Sequence, residues 1–184
     1  MNYAKIKYNN IANGEGVRTA LFVQGCHIIC PGCQNYSIQT YNGGLEFSVK
    51  EMHDIWNSMH DGIAGLSILG GEPLSKPNID TVTDIMKLFK EKFPEKTIWV
   101  WTGFRLDLEL EGTATHEGGS FKDKPTFFRR DTLELIDVLV DGRWEQNNYD
   151  PKLLWAGSTN QRVIDMKKTL KENKIILYSD NYNK

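Results

Sequence analysis

The stretch TALFVQGCHIICPGC, residues 19–33, carries an apolar run into a glycine and then into every cysteine of the chain, Cys26, Cys30 and Cys33. Residues 19–24 read as a strand, being short, mostly apolar and bounded by glycine. The same succession recurs three times further on: LSIL (66–69) runs into GGEP, TIWVW (97–101) into TGF, and DVLV (137–140) into DGR. A less regular strand candidate, IILY, lies at 175–178. Near-continuous apolar strands suit a parallel sheet covered on both faces. In such folds ligands bind beyond the carboxyl ends of the strands, where these turns sit. The cysteine loop and the turn Gly70-Gly71-Glu72-Pro73 are therefore expected to share one face.

Amphipathic helices fill the gaps between strands. Ser48 and Glu51 form a capping box that opens a helix with Val49, Met52, Ile55 or Trp56, and Met59 along one side. A second helix follows Pro77, with Asn78 as N-cap and Ile79, Val82, Ile85 or Met86, Phe89 and Phe93 as its stripe. A third, around 131–136, leads into DVLV. Alternating strands and helices with right-handed crossovers give an α/β fold, as an open sheet or an incomplete barrel. Residues 111–127, polar and glycine-bearing, read as a long surface loop.

Composition narrows the class. The 184 residues suit one domain, and 22 basic against 24 acidic side chains leave a net charge of −2. That balance offers no electrostatic footprint for nucleic acid or an anionic membrane. No apolar run approaches the ~20 residues that span a bilayer. MNYAKIKYNN lacks the apolar core of a secretory signal, so the expected compartment is the cytoplasm, where thiols stay reduced.

The cysteines then read as ligands or redox thiols, and three chemistries compete. Zinc would need a fourth ligand from His27, His53, His60 or His116, and no second C-x2-C exists to make a zinc ribbon. A thioredoxin-like dithiol at Cys30-Pro31-Gly32-Cys33 leaves Cys26 and GGEP without a role, and no good helix-forming sequence begins at Cys30. An iron–sulfur cubane held by three cysteines keeps one iron open. That is a defect in an electron carrier and an opportunity in a catalyst.

These motifs resemble those of radical S-adenosylmethionine (radical SAM) enzymes, in the C-x3-C-x2-C loop CHIICPGC and the turn LGGEP. Within that superfamily the chain resembles the activases of glycyl-radical enzymes, above all those serving anaerobic ribonucleoside-triphosphate reductase. The likeness extends to the opening MNY, NGEGVR (13–18), FVQGC, CPGC, GGEPL (70–74), IWVWTGF (98–104), VLVDGR (138–143) and GSTNQR (157–162).

The resemblance implies a single radical SAM domain over 1–184, an incomplete β/α barrel with mostly parallel strands. Its core would cover about 1–165, with 111–127 as an insertion and 166–184 as an extension. It implies one 4Fe–4S cluster on Cys26, Cys30 and Cys33, whose open iron chelates S-adenosylmethionine. Gly32, Cys33, Gln34, Gly70, Gly71, Glu72 and Pro73 would surround that molecule, with Gly70 and Gly71 allowing close backbone approach and Glu72 holding the ammonium or the turn. The implied partners are the large subunit of the reductase, which would receive a glycyl radical, and a flavodoxin-like electron donor. Three departures stand out: Gly32 replaces an aromatic residue, Gln34 replaces tyrosine, and GGEP replaces GGDP. Arg18, Arg143 and Arg162 lie near matched motifs, each reading as an ordinary surface charge ahead of a contact to a substrate carboxylate or the partner; Asp141 reads as lining the site or capping a turn, and Trp99, Trp101, Trp144 and Trp155 read as core or partner surface.

Overall fold

The computed structural model describes residues 1–107 and 130–178. The loop expected at 111–127 and the last residues of the expected extension, 179–184, lie outside the described residues. Among the described residues seven strands form one open sheet: β1 (Asn2–Asn10), β2 (Arg18–Val23), β3 (Leu45–Glu46), β4 (Gly65–Gly70), β5 (Thr97–Trp101), β6 (Val138–Asp141) and β7 (Arg162–Asp165), in the order β3-β1-β2-β4-β5-β6-β7. Strands β2, β4, β5 and β6 are mutually parallel, while β1 and β7 pair antiparallel at either side. The four glycine-terminated strands of the sequence are thus the parallel centre. Residues 175–178, expected as a further strand, make only a single bridge, Ile164 to Leu177, beside β7.

Two strands outside the parallel centre escape the apolar-run criterion. Strand β1 is largely polar and half-exposed, with lysines at positions 5 and 7, and it gains its place by pairing with β2. Strand β7 has only four residues.

Helices α1 (Val49–Asn57), α2 (Ile79–Lys92), α3 (Arg130–Glu134) and α4 (Met166–Glu172) complete the described elements. The capping box at Ser48 and Glu51 is present as read. Asn78 occupies the N-cap position of α2, as read, but its side chain makes no capping bond. Its side-chain amide donates instead to the carbonyls of Gln24 and Glu72, both 3.0 Å away. A cap would have satisfied one helix N–H; the observed bonds tie α2 to the ends of two strands. Among the described residues no helix is long and apolar enough to cross a membrane.

The alternation of side chains along the strands separates the two faces of the sheet. Leu21, Val23, Leu66, Ile68, Ile98, Val100, Leu139 and Ile164 point into one core with Met52, Ile55, Val82, Ile85, Met86, Phe89, Leu133 and Met166 from the four helices. Each such side chain contributes about 1.5–3 kcal/mol of burial, so this face carries the stability. The opposite face bears Ala20, Phe22 and Leu69 in one patch, and Trp99, Val138, Val140 and Val163 in another. The two faces are covered differently: the described helices share one face, and loops and aromatic rings occupy the other.

Candidate functional site

Parallel pairing brings the decisive motifs together. Val23 is the register partner of Gly70, so the residues after β2 and after β4 leave the sheet side by side. Two main-chain bonds continue the contact beyond the strands, from Gly71 N to the Val23 carbonyl (2.9 Å) and from Glu72 N to the Gly25 carbonyl (2.7 Å). The glycines permit this approach. A Cβ at Gly71 would stand 2.2 Å from the Gly25 oxygen, and one at Gly70, where φ is +109°, would press on the backbone of Phe22 and Val23. At Gly70 and Gly71 the backbone thus comes close to the root of the cysteine loop.

The loop itself folds back on its origin. Gly25 and Cys26 donate to the carbonyls of Ile38 and Gln39 at 2.9 and 2.8 Å, and the Gln24 side chain donates to the Thr40 carbonyl. Within the loop Cys33 N bonds the Cys30 carbonyl, making a tight turn followed by a 3-10 turn at Tyr36–Ile38. No α-helix starts at Cys30, as a thioredoxin-like arrangement would require. Asn35 ties the far end of the loop to the GGEP turn through its amide and the Gly70 carbonyl, 3.1 Å. Ile29 holds a φ of +49°, a strained choice for a β-branched side chain.

All three thiols are free, half-buried and lining one cavity of about 470 Å³. That volume lies in the range of small-molecule sites, roughly 300–1,000 Å³. Gln34, Gly70, Gly71 and Glu72 line the same cavity, so most of the expected site residues converge. Gly32 and Pro73 are not in its lining. Gly32 turns its open side to Gln146 and Trp144, and Pro73 is buried in the turn.

Glu72 is almost fully buried. Its carboxylate accepts hydrogen bonds from Leu74 N (3.0 Å), the Thr102 hydroxyl (2.7 Å) and Gly103 N (2.7 Å). Of the two roles expected for it, holding the turn is the one visible: it clamps the end of β4 to the end of β5. Asp141 and Arg162 bind each other, with Nε of Arg162 2.9 Å from Oδ1 of Asp141. Arg162 also reaches Asp107 at 2.9 Å. Burial pushes the Asp107 carboxyl up, but Arg162 and Arg105 outweigh it and hold the group down to about 2. Arg18 lies fully inside at the amino end of β2, bonded to Ser67 Oγ and to the carbonyls of Glu15, Leu66 and Thr97. It is a structural cation. Arg143 is exposed beside Cys30.

Residues not singled out in the sequence complete the walls. Asn35 and Gln39 come from QNYSIQTYNGG, whose lack of periodicity gave no signal. Thr102 and Gly103 were visible only as part of a strand-terminal turn. Of the tryptophans, Trp101, Trp144 and Trp155 line the cavity, while Trp99 is buried behind them, its ring 4.7 Å from that of Trp155.

Electrostatics at the thiols reflect two opposing effects. Burial pushes the Cys26 thiol up, and the main-chain N–H groups of Ile28 and Ile29 offset part of that rise. Burial raises Cys30 likewise, against the N–H of Trp144. Main-chain donors aimed at sulfur are what a thiolate ligand needs in a buried site. Among the described residues no three His, Cys, Asp or Glu side chains are gathered as closely as one ion demands. The thiols are spread around a cavity wall, and no histidine is in its lining. His53 packs on Trp56, His60 accepts from Gly62 N, and His116 lies outside the described residues. An all-sulfur donor set on a wide wall, with backbone donors at two sulfurs, fits a multi-iron cluster.

A family model described as a 4Fe-4S single cluster domain matches residues 12–164. The chain is 38% identical over 166 residues to the anaerobic ribonucleoside-triphosphate reductase-activating protein of Pasteurella multocida, covering 89% of this chain and 96% of that one. The Escherichia coli K12 protein of the same name is 37% identical, with 89% and 97% covered. That of Enterobacteria phage T4 is 34% identical, with 89% and 93% covered. The chain belongs to the anaerobic ribonucleoside-triphosphate reductase-activating protein family. Membership gives the cysteine-lined cavity its context, since the iron–sulfur model spans every strand from β2 to the third residue of β7.

Proposed function

We propose that the protein is a radical SAM activase that installs a glycyl radical on the large subunit of anaerobic ribonucleoside-triphosphate reductase, working in the cytoplasm with a flavodoxin-like donor. The observation that carries this reading is the convergence of three free thiols and the Gly70–Glu72 turn on one cavity. The names of the relatives supply the partner, and the cluster model supplies the metal chemistry.

In this reading Cys26, Cys30 and Cys33 hold a 4Fe–4S cluster, and one iron remains for S-adenosylmethionine. When bound and reduced, this pair supplies one electron to a sulfonium and so delivers a carbon radical able to take hydrogen from a glycine Cα. The chain's own work is ligation, orientation and exclusion of water. Gly70 and Gly71 set the distance between the cysteine loop and the turn that faces it. Glu72 fixes the wall on the β5 side, and Pro73 stiffens the exit of β4. Gln34 faces the cavity directly, whereas Gly32 acts through Trp144, on which it packs. The whole chain, 1–184, acts as one domain of partial-barrel type, with the open aromatic face of the sheet as the barrel's inside.

The test is product analysis. Anaerobically reconstituted, reduced protein should release methionine and 5′-deoxyadenosine from S-adenosylmethionine, and should raise a glycyl-radical signal when the reductase subunit is added. Reconstituted protein that holds its cluster but leaves S-adenosylmethionine intact contradicts the reading.

A further inference from the structure

The motif GSTNQR, residues 157–162, is bonded back along the stretch that leaves β6. Glu145 N donates to Ser158 Oγ (3.2 Å), Thr159 N to the Asn148 carbonyl (2.8 Å), and the Asn160 amide to the Arg143 carbonyl (2.8 Å). Gln161 joins the two ends of this excursion. Its Oε1 accepts from Gly157 N (2.9 Å) and Ser158 N (3.2 Å), while its Nε2 donates to the Gly142 carbonyl (2.9 Å). The segment held in this way, 142–157, lies as a strap over the aromatic face of the sheet, where Trp101 Nε1 donates to the Trp155 carbonyl at 2.7 Å. The strap supplies Trp144, Tyr149, Leu153 and Trp155 to the cavity wall, and Gly157 and Gln161 line the cavity too. It also meets the cysteine loop. Trp144 directs its main-chain N–H to Cys30, and its indole packs on Gly157 at one edge and faces Gly32 at the other. Contacts therefore run from Gln161 through Gly157 and Trp144 to the turn between Cys30 and Cys33.

We infer that Gln161 is a positioning residue that clasps the strap 142–157 as the outer wall of the cavity, and so sets the space offered to S-adenosylmethionine. The inference rests on the radical SAM reading of that cavity. One side chain serves both ends of the strap because a glutamine amide accepts and donates at once. Leucine of similar size does neither, and ionised glutamate keeps only the accepting half. Without the clasp the strap retains its bonds at Trp101, Asn160 and Thr159, so what is lost is definition of the wall rather than the fold. A wall free to shift no longer presents one geometry to its ligand, and binding then carries the cost of ordering it.

The experiment compares wild type with Gln161→Leu and Gln161→Glu. Hydrogen exchange on protein without iron reads the clasp alone: the Gly157 and Ser158 amides should exchange about tenfold faster in the leucine variant. Equilibrium dialysis of reconstituted proteins with equal iron content should then show S-adenosylmethionine held about tenfold more weakly by Gln161→Leu, with Gln161→Glu in between. Exchange at the wild-type rate overturns the clasp, and unchanged affinity in a variant that exchanges faster overturns its role in the site. Loss of iron from Gln161→Leu overturns the inference as well, by making the residue structural. A measurement on wild type guards against misfolded variants. S-adenosylmethionine should slow exchange across residues 144–158 of the reconstituted protein, and exchange that a bound ligand leaves unmoved overturns the inference. Reconstituted wild type that binds no S-adenosylmethionine at all defeats the underlying reading, a result distinct from each of these.

Discussion

Arg18 and Glu72 are both buried charges, and they bracket the same three strands. Arg18 sits where β2 begins and donates across the amino ends of β4 and β5, through Ser67, Leu66 and Thr97. Glu72 sits just past β4 and accepts from Thr102 and Gly103 at the carboxyl end of β5. Each replaces the missing regularity of a sheet end with fixed hydrogen bonds. The difference lies in what adjoins them. Arg18 is sealed over by Trp99, whose ring lies 5.4 Å from its guanidinium, whereas Glu72 shares a wall with three thiols. One device closes the sheet, and the other holds a site open.

The largest effect should come from breaking the contact that sets the open end. Gly71→Ala drives a methyl to within 2.2 Å of the Gly25 oxygen, so backbone must move. A loss of about 3 kcal/mol in urea unfolding is expected, together with failure to retain iron. Next, Arg18→Met removes five donated bonds at the closed end while keeping an apolar stem beside Trp99. We expect a loss of roughly 2–3 kcal/mol, with iron per folded chain unchanged. Glu72→Gln should invert that pattern, costing about 1–2 kcal/mol of stability but weakening iron retention, because the side chain then accepts fewer bonds from the β5 turn. If both variants affect iron alike, the contrast between the two ends is wrong.

How much of this was readable beforehand depends on the kind of interaction. The four parallel strands, the capping box and the meeting of CHIICPGC with GGEP follow from local apolar runs and turn glycines, whose effects are short-range. Strand β1 was invisible because its polar alternation acquires meaning only when it pairs with β2. The pairing of Asp141 with Arg162 was hidden for a related reason: a charge near a motif reads the same whether it faces a ligand or a neighbouring carboxylate.

The smallest effect concerns acid. The Asp107 carboxyl, held to about 2 by Arg162 and Arg105 against the upward push of burial, is depressed relative to an unfolded aspartate. Its stabilising contribution is complete above the unfolded value, about 3.9, and is lost as pH falls through about 2. Thermal melts from pH 5 to pH 2 should show a decline that Asp107→Asn flattens. Because Asp107 is about a third exposed, the change should be modest and should shrink with added salt.

The central claim is that Cys26, Cys30 and Cys33 together form one metal site at the open end of the sheet. Iron and acid-labile sulfide per chain, measured after anaerobic reconstitution of wild type and of Cys26→Ala, test it most directly. Wild type should hold about four of each, as the 4Fe–4S domain implies, and no stable cluster should remain once Cys26 is gone. A wild-type protein that takes up zinc instead, or a Cys26→Ala variant that behaves as wild type while cycling a Cys30–Cys33 disulfide, would contradict it.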